Sequence, residues 1–410
     1  MRALTNPYTP NAGAEPQAIV GRDDLLTSFD LLLARIQRGH TEQSMIITGL
    51  RGVGKTVLLG QFRTKAFEHD WVVVELEVSK HDEHGFRQNM ASRLRTALLE
   101  LSPRARWSDR FKHAAGVLKS FTISLGPTGT WSAGFDVEPA EGYADHANLA
   151  QDLTDVFLAL GEAAREQKKG IVLLFDEVQF LSKQQLGALI EALHKMVQRK
   201  LPITMVGAGL PQIAQLAGDA KSYAERLFTF PQLGNLSDED ARSALLRPAQ
   251  SEQATFSASA LGEAVAITGG YPYFLQELGY AVWTVAEGPE ITLADLLTAV
   301  PAYDDKLDSS FFRVRLNRTT ELQRVYLRAM AQLGPDAQKA ADVAELMGRA
   351  STNLGPTRAE LISMGLLYTP QHGYAAFTVP HFDRFLIRAI PTLEVPARRL
   401  RREPNSRPPT

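Results

Sequence analysis

Along the first half of the chain, apolar residues fall alternately at helical and at strand intervals. In Gly21–Gly39 the positions Leu25, Phe29, Leu32, Leu33 and Ile36 share one helical face, and Gly39 ends the run. "SMIIT" is a short apolar strand, "KTVLLGQFRTKAFEH" a helix, "WVVVELEV" (Trp71–Val78) a second strand and "HGFRQNMASRLRTALLEL" a second amphipathic helix. After an interruption the alternation resumes with helix "NLAQDLTDVFLALGEAAREQ", strand "GIVLLFDEV", helix "KQQLGALIEALHKMVQR" and strand "PITMVGA". Strands separated by helices predict a parallel sheet covered on both faces, an α/β fold.

Residues 1–20, rich in Pro, Asn, Gly and Ala, read as an irregular leader to a core spanning 21–235. The interruption at 102–146 contains "FTISLGPTGTWSAGFDV". There Phe121, Ile123 and Leu125, then Trp131, Ala133, Phe135 and Val137, alternate with polar residues around a Gly-Pro-Thr-Gly turn. This pattern predicts a β-hairpin inserted at about 105–140, either covering a sheet edge or engaging a partner or DNA. From Leu236 the strands cease, and residues 236–310 read as four helices of a small bundle. Residues 316–392 read as three helices, a strand–turn–strand ("LLYTPQHGYAAFTVP") and a last helix ("HFDRFLIRAI"), a winged-helix pattern. The tail 393–410 is basic and proline-rich, a composition expected to be disordered.

Composition narrows the function classes only modestly. At 410 residues, with 44% hydrophobic and 22% charged residues, the chain has the length of two or three domains. A net charge of −2 gives no general attraction to nucleic acid or to a membrane surface. The absence of cysteine excludes disulfides, thiolate metal sites and a thiol nucleophile, and suits a cytoplasmic location. No run approaches the roughly 18 apolar residues of a membrane span, and the N-terminus lacks the apolar stretch of a signal peptide.

The strongest chemical signal is Gly49-Leu50-Arg51-Gly52-Val53-Gly54-Lys55-Thr56, followed by Val57 in the first turn of a helix. It fits G-x-x-x-x-G-K-[ST] in full and lies between a strand and a helix. Such glycines let backbone N–H groups face phosphate oxygens, and the helix dipole adds positive potential. Lys55 supplies a charge for the β- and γ-phosphates, and the Thr56 hydroxyl is a ligand for Mg²⁺. Asp176 and Glu177 close the apolar strand "IVLLFDEV" at the edge where open α/β sheets bind ligands. Asp176 would hold Mg²⁺ through water, and Glu177 would orient and deprotonate an attacking water. The next strand ends in Gly207, Ala208 and Gly209, which offer no polar side chain, while Thr204 lies earlier. Arg226, in "YAERLFTF", is either a finger reaching a neighbouring subunit's nucleotide or a partner in a surface ion pair.

These motifs, with a helical lid and a terminal winged helix, resemble the AAA+ superfamily. The likeness is to its Orc1/Cdc6-like initiator ATPases and STAND signalling ATPases. The leader's Val20, Gly21 and Arg22 resemble the segment that borders the adenine in that group, and "GGYPYFLQ" resembles the STAND lid motif, implying Gly270 and Pro272 beside the nucleotide. No arginine follows in that lid helix where initiators carry a second sensor. The resemblance implies an ATP- and Mg²⁺-dependent switch with slow hydrolysis, whose lid and winged helix are the output and which assembles with itself when nucleotide is bound. The alternative it implies is an ATP-controlled initiator or loader gripping duplex DNA.

In the winged-helix region Ser351, Thr352, Asn353, Thr357 and Arg358, with Gln371 and His372 in the wing, are candidates for base contact. The region's eight Lys/Arg against six Asp/Glu give little attraction to phosphate, which Arg398, Arg399, Arg401 and Arg402 of the tail would supply. A protein-binding module is the other reading. "HDEH" at 81–84 reads as a solvated loop rather than a metal cluster.

Overall fold

The computed structural model describes residues 3–79, 83–101, 108–123 and 137–396. The chain divides between Tyr303 and Asp304 into two compact units.

The first unit follows the predicted alternation. Helix α1 (Asp23–Gln37) leads to β1 (Ser44–Gly49), α2 (Lys55–Glu68), β2 (Val72–Glu77) and α3 (Glu83–Leu101). Beyond α4 (Asp109–Ile123) come α5 (Leu149–Glu166), β3 (Ile171–Asp176) and α6 (Lys183–Arg199). Then β4 (Ile203–Gly209) is followed by α7 (Ile213–Ala220), α8 (Ala224–Leu227), β5 (Phe228–Thr229) and β6 (Gln232–Leu233). Asn148 starts α5 by accepting the N–H groups of Ala150 and Gln151, and Ser182 with Gln185 forms a reciprocal capping box at α6. The strand order is β2-β3-β4-β1-β5, every pair parallel, with β6 also beside β1. Apolar residues on β3 are buried from both sides by helices, as a parallel sheet requires.

The inserted segment differs from its expected form. Phe121 to Ile123, expected to open a β-hairpin, are the last residues of α4. The reason is a competing helical period: Phe111, Ala114, Ala115, Leu118 and Phe121 are all buried on one face, while Ile123 is exposed. Residues 124–136, where the turn and second arm were expected, lie outside the described residues, as do His81 and Asp82. The segment leading to α5 is anchored by fully buried Asp152, which accepts from the Arg87 guanidinium and from the His146 N–H at 2.9 Å.

Next come α9 (Asp238–Ser251), β7 (Thr255–Phe256), α10 (Ala258–Thr268), α11 (Pro272–Val285), β8 (Glu290–Ile291) and α12 (Leu293–Lys306). The four helices were expected; the two-residue parallel ladder between β7 and β8 was not, being too short to leave a pattern. The leader is irregular in backbone yet firmly packed. Tyr8 is 1% exposed, and its hydroxyl donates to the Leu245 carbonyl of α9 at 2.6 Å. Asn6 donates to the Tyr280 carbonyl of α11, and the Thr9 N–H donates to Gln276.

In the second unit a π-helical turn (Leu307–Phe312) and α13 (Arg313–Leu316) precede α14 (Glu321–Leu333), β9 (Gln338–Lys339), α15 (Ala340–Leu346) and α16 (Ser351–Ser363). β10 (Leu367–Tyr368), β11 (Tyr374–Phe377) and α17 (Phe382–Ala389) complete it. The small antiparallel sheet has the order β10-β11-β9, and Phe312, Phe382 and Phe385 stack beside it. Among the described residues no helix is long and apolar enough to cross a membrane.

Gly279 on α11 leaves the notch that the Tyr8 ring occupies, since a Cβ there would lie 2.5 Å from the ring. Gly279→Ala is therefore expected to destabilise the first unit by about 1–3 kcal/mol through overpacking. Gly288→Ala, at a site with open space, is expected to stay within about 0.5 kcal/mol of the parent. Thermal unfolding of the two variants measures the difference.

Candidate nucleotide-binding site

The register of the sheet sets the site. β4 lies between β1 and β3, with Thr48 opposite Gly209 and Phe175 opposite Gly207. The loop after β1 and the acidic pair after β3 therefore emerge at one edge, on either side of the β4 tip. Residues 50–54 turn sharply into α2, Gly52 at φ +83° and Gly54 at φ +94°. This left-handed backbone favours glycine.

Lys55 is the first residue of α2, and its side chain folds back into the loop. Its Nζ donates to the carbonyls of Gly49 at 2.9 Å and Leu50 at 2.8 Å. Burial pushes the ammonium down to about 8, against the opposing pull of Glu177 and Asp176. At the next residue, the Thr56 hydroxyl donates to Asp176 Oδ2 at 2.6 Å. These are hard oxygen donors of the kind Mg²⁺ takes, brought together from the start of α2 and the end of β3. Arg51 Nε is buried without a hydrogen-bond partner, and its Nη1 lies 4.0 Å from Glu177 Oε1. An unpaired buried donor beside a buried ammonium suits an anion. The residues present thus fit a magnesium nucleotide.

Glu177 lies in the left-handed region at φ +55°, on a 3-10 turn of Val178–Phe180. Its carboxylate accepts from the Gln179 side-chain amide, whose oxygen in turn accepts the Leu210 N–H at 3.0 Å. Sequence reasoning missed Gln179. The only available signal was a long amide two residues past the acid, together with glycine at position 209.

One residue of α11 and one of the leader, Tyr273 and Arg22, reach the same loop. The Tyr273 N–H, at the start of α11, donates to the Gly52 carbonyl at 3.3 Å. Pro272 is the first residue of that helix, and the Gly270 carbonyl accepts the Leu236 N–H at 2.9 Å. Val20 is buried, Gly21 has φ +66°, and Arg22 donates to the carbonyls of Val53 at 3.4 Å and Gly234 at 2.9 Å. Burial lowers the Arg22 guanidinium from its usual range. Val57 is half-buried in the first turn of α2.

Two residues stay apart from this cluster. Thr204 is buried and pairs with the Ser44 hydroxyl at 3.1 Å. Arg226 is exposed on α8, just before β5, and Phe228 pairs with Ser44, the first residue of β1. Arg226 is thus at the opposite edge of the sheet from the phosphate loop of its own chain. Among the described residues no cluster of three His, Asp or Glu forms a metal cage.

The strand order and the loop after β1 define a P-loop ATPase of the AAA+ fold. More particularly, residues 18–206 match the family described as AAA ATPase domain, so the chain carries a nucleotide-dependent ATP hydrolase. Residues 309–386 match a domain of unknown function, DUF8462. No curated protein matches the chain. Among solved structures it is similar to the Walker-type ATPase Paby2304 of Pyrococcus abyssi, with 15% identity over 91% of this chain and 97% of that one, at a TM-score of 0.57. Cdc6p from Pyrobaculum aerophilum (15% identity, 95% and 98% covered, TM-score 0.48) is a looser likeness. So is the Orc1 protein of Aeropyrum pernix in complex with DNA (14%, 91% and 94%, 0.43).

Lys55→Ala removes a buried ammonium aimed into the loop. Its ATP affinity is expected to fall by about 100-fold or more, the loss of two charge-assisted hydrogen bonds at roughly 1.5 kcal/mol each. Calorimetric titration of the variant with ATP checks this, and affinity within threefold of the parent would sink the assignment.

Proposed function

We propose that the chain is a nucleotide-gated switch that binds ATP with Mg²⁺ and hydrolyses it slowly. The observation that carries this reading is the Tyr273-to-Gly52 hydrogen bond. The peptide that turns the phosphate loop also holds the first turn of the lid helix. A phosphate group drawn into the loop bears on that contact, so ATP and ADP favour different lid positions by their differential interaction with it. The backbone of Gly49–Thr56 cradles the phosphates and Lys55 neutralises their charge. Thr56 and Asp176 would hold Mg²⁺, which would lower the charge on the transferred group. Glu177 takes the proton from the attacking water. Val20, Gly21, Arg22, Gly270 and Pro272 line the base and ribose side.

Slow turnover is supported by a β4 tip with no polar side chain of its own and a lid helix without an arginine. Arg226, remote from the loop of its own chain, acts only if a second copy brings it to a neighbour's nucleotide. The order of α14, β9, α15, α16, β10 and β11 supports a winged helix as the second output element. The whole has the STAND-like character of a signalling ATPase acting in the cytoplasm on a protein partner.

A second reading, an ATP-controlled initiator or loader on duplex DNA, is favoured by three exposed polar residues at the start of α16: Ser351, Thr352 and Asn353. Gln371 and His372 are exposed in the turn before β11, and Arg358 is half-buried. Thr357, expected among the base contacts, is buried and takes no part. The arginines of the tail lie outside the described residues.

Glu177→Gln should bind ATP with parental affinity and lose turnover by about 100-fold or more, the usual contribution of a positioned base. The parent without a partner should turn over more slowly than about 1 s⁻¹, the low end of ordinary enzymes. A single-turnover assay with radiolabelled ATP reads both, and a parental rate in Glu177→Gln removes the base assignment. For the second reading, ATP-loaded protein is titrated onto a duplex at two salt concentrations. Affinity that falls steeply with salt supports the loader, and no binding at low salt leaves the switch.

A further inference from the structure

The residues of the β4 tip, Gly207, Ala208 and Gly209, present no polar side chain to the edge where the phosphate loop and the acidic pair meet. The space over Gly209 is filled from the neighbouring strand. Gln179 reaches across it from the turn after β3, so that its Oε1 accepts the Leu210 N–H at 3.0 Å while its Nε2 donates to Glu177 Oε2. Chemistry fixes which end of the amide faces which partner, because a peptide N–H only donates and a carboxylate only accepts. The glycine is what admits this side chain. A Cβ on Gly209 would lie 2.8 Å from Gln179 Oε1 and 2.8 Å from Val178 Cγ2. Glu177 in turn sits at φ +55°, a backbone region that costs a non-glycine residue about 1 kcal/mol or more unless its surroundings hold it there.

We propose that Gln179 is a positioning residue for hydrolysis. Its amide pins Oε2 of Glu177 to the start of the β4–α7 connection and leaves Oε1, on the Arg51 side, to take the proton of the attacking water. The polar group missing from the β4 tip is thereby supplied by the strand next to it. A carboxylate freed from this clamp samples rotamers that face away from the water, and misplacement by about an ångström costs up to about a hundredfold in rate. The inference rests on Glu177 being the base.

The test compares kcat and ATP affinity in four variants alongside Glu177→Gln. Gln179→Ala and Gln179→Met, the latter keeping the length of the side chain and losing both hydrogen bonds, should lower kcat about 10- to 100-fold. ATP affinity should stay within threefold of the parent in both. Gly209→Ala should displace the amide and give a similar drop. Gly209→Ala combined with Gln179→Ala should be no slower than either alone, since both remove one interaction. A merely structural brace would instead weaken ATP binding together with rate. Should Gln179→Ala fail to bind ATP, the better-filled Gln179→Met decides. A parental kcat in Gln179→Met, losses that multiply in the double variant, or affinity falling in step with rate overturns the proposal. If Glu177→Gln is inactive while the Gln179 variants run at the parental rate, only the role of Gln179 fails. If Glu177→Gln retains turnover, the base assignment and this inference fall together.

Discussion

The hydrogen bond between the Thr56 hydroxyl and the Asp176 carboxylate, 2.6 Å long, joins the start of α2, which follows β1, to the end of β3, a strand that does not touch β1. Strands in a sheet lie roughly 4.8 Å apart, so β1 and β3 are separated by the full width of β4. They meet because Thr56 stands in the first turn of α2, beyond the loop that follows β1, while Asp176 is the last residue of β3. This imposes two conditions on the sequence. The β4 tip must be small, which Gly207, Ala208 and Gly209 provide, and the helix after β1 must start without delay, which Lys55 does. The buried ammonium, the exposed hydroxyl and the acid pair are all consequences of that crossing.

Much of this was legible in the chain itself, for physical reasons. A phosphate loop is local: its glycines, lysine and threonine lie within eight residues, and the backbone alone arranges them. The β3 strand was legible because burial on both faces demands a continuous apolar run, and Asp176 marks where that burial ends. What escaped notice depends on distance in space rather than along the chain. Gln179 matters because Gly209 on another strand leaves room for it, and no periodicity records that. Phe121 and Ile123 suit a strand and a helix equally over three residues. The longer apolar face beginning at Phe111 decides between them. The position of Arg226 relative to the loop follows from the pairing of β5 with the start of β1, a register the sequence does not display.

The lid and the leader illustrate how contacts of modest individual strength define a closed edge. The Tyr273 N–H, the Gly270 carbonyl and the Arg22 guanidinium each contribute one or two ordinary hydrogen bonds, worth about 1 kcal/mol apiece in net terms. Their effect lies in where they attach. Gly52 and Val53 belong to the phosphate loop, whereas Gly234 and Leu236 belong to the segment between β6 and α9.

The packing of Tyr8 against α9 and α11 also bears on how the chain is made. Its hydrogen-bond partner Leu245 lies 237 residues further along. At typical synthesis rates of about 5–20 residues per second, Tyr8 emerges roughly 10–50 s before that partner exists. By the end of this interval every strand of the parallel sheet has been synthesised, whereas until then the leader has no notch in which to lodge. The sheet is thus complete along the chain before α9 and α11, which hold the leader, have been made.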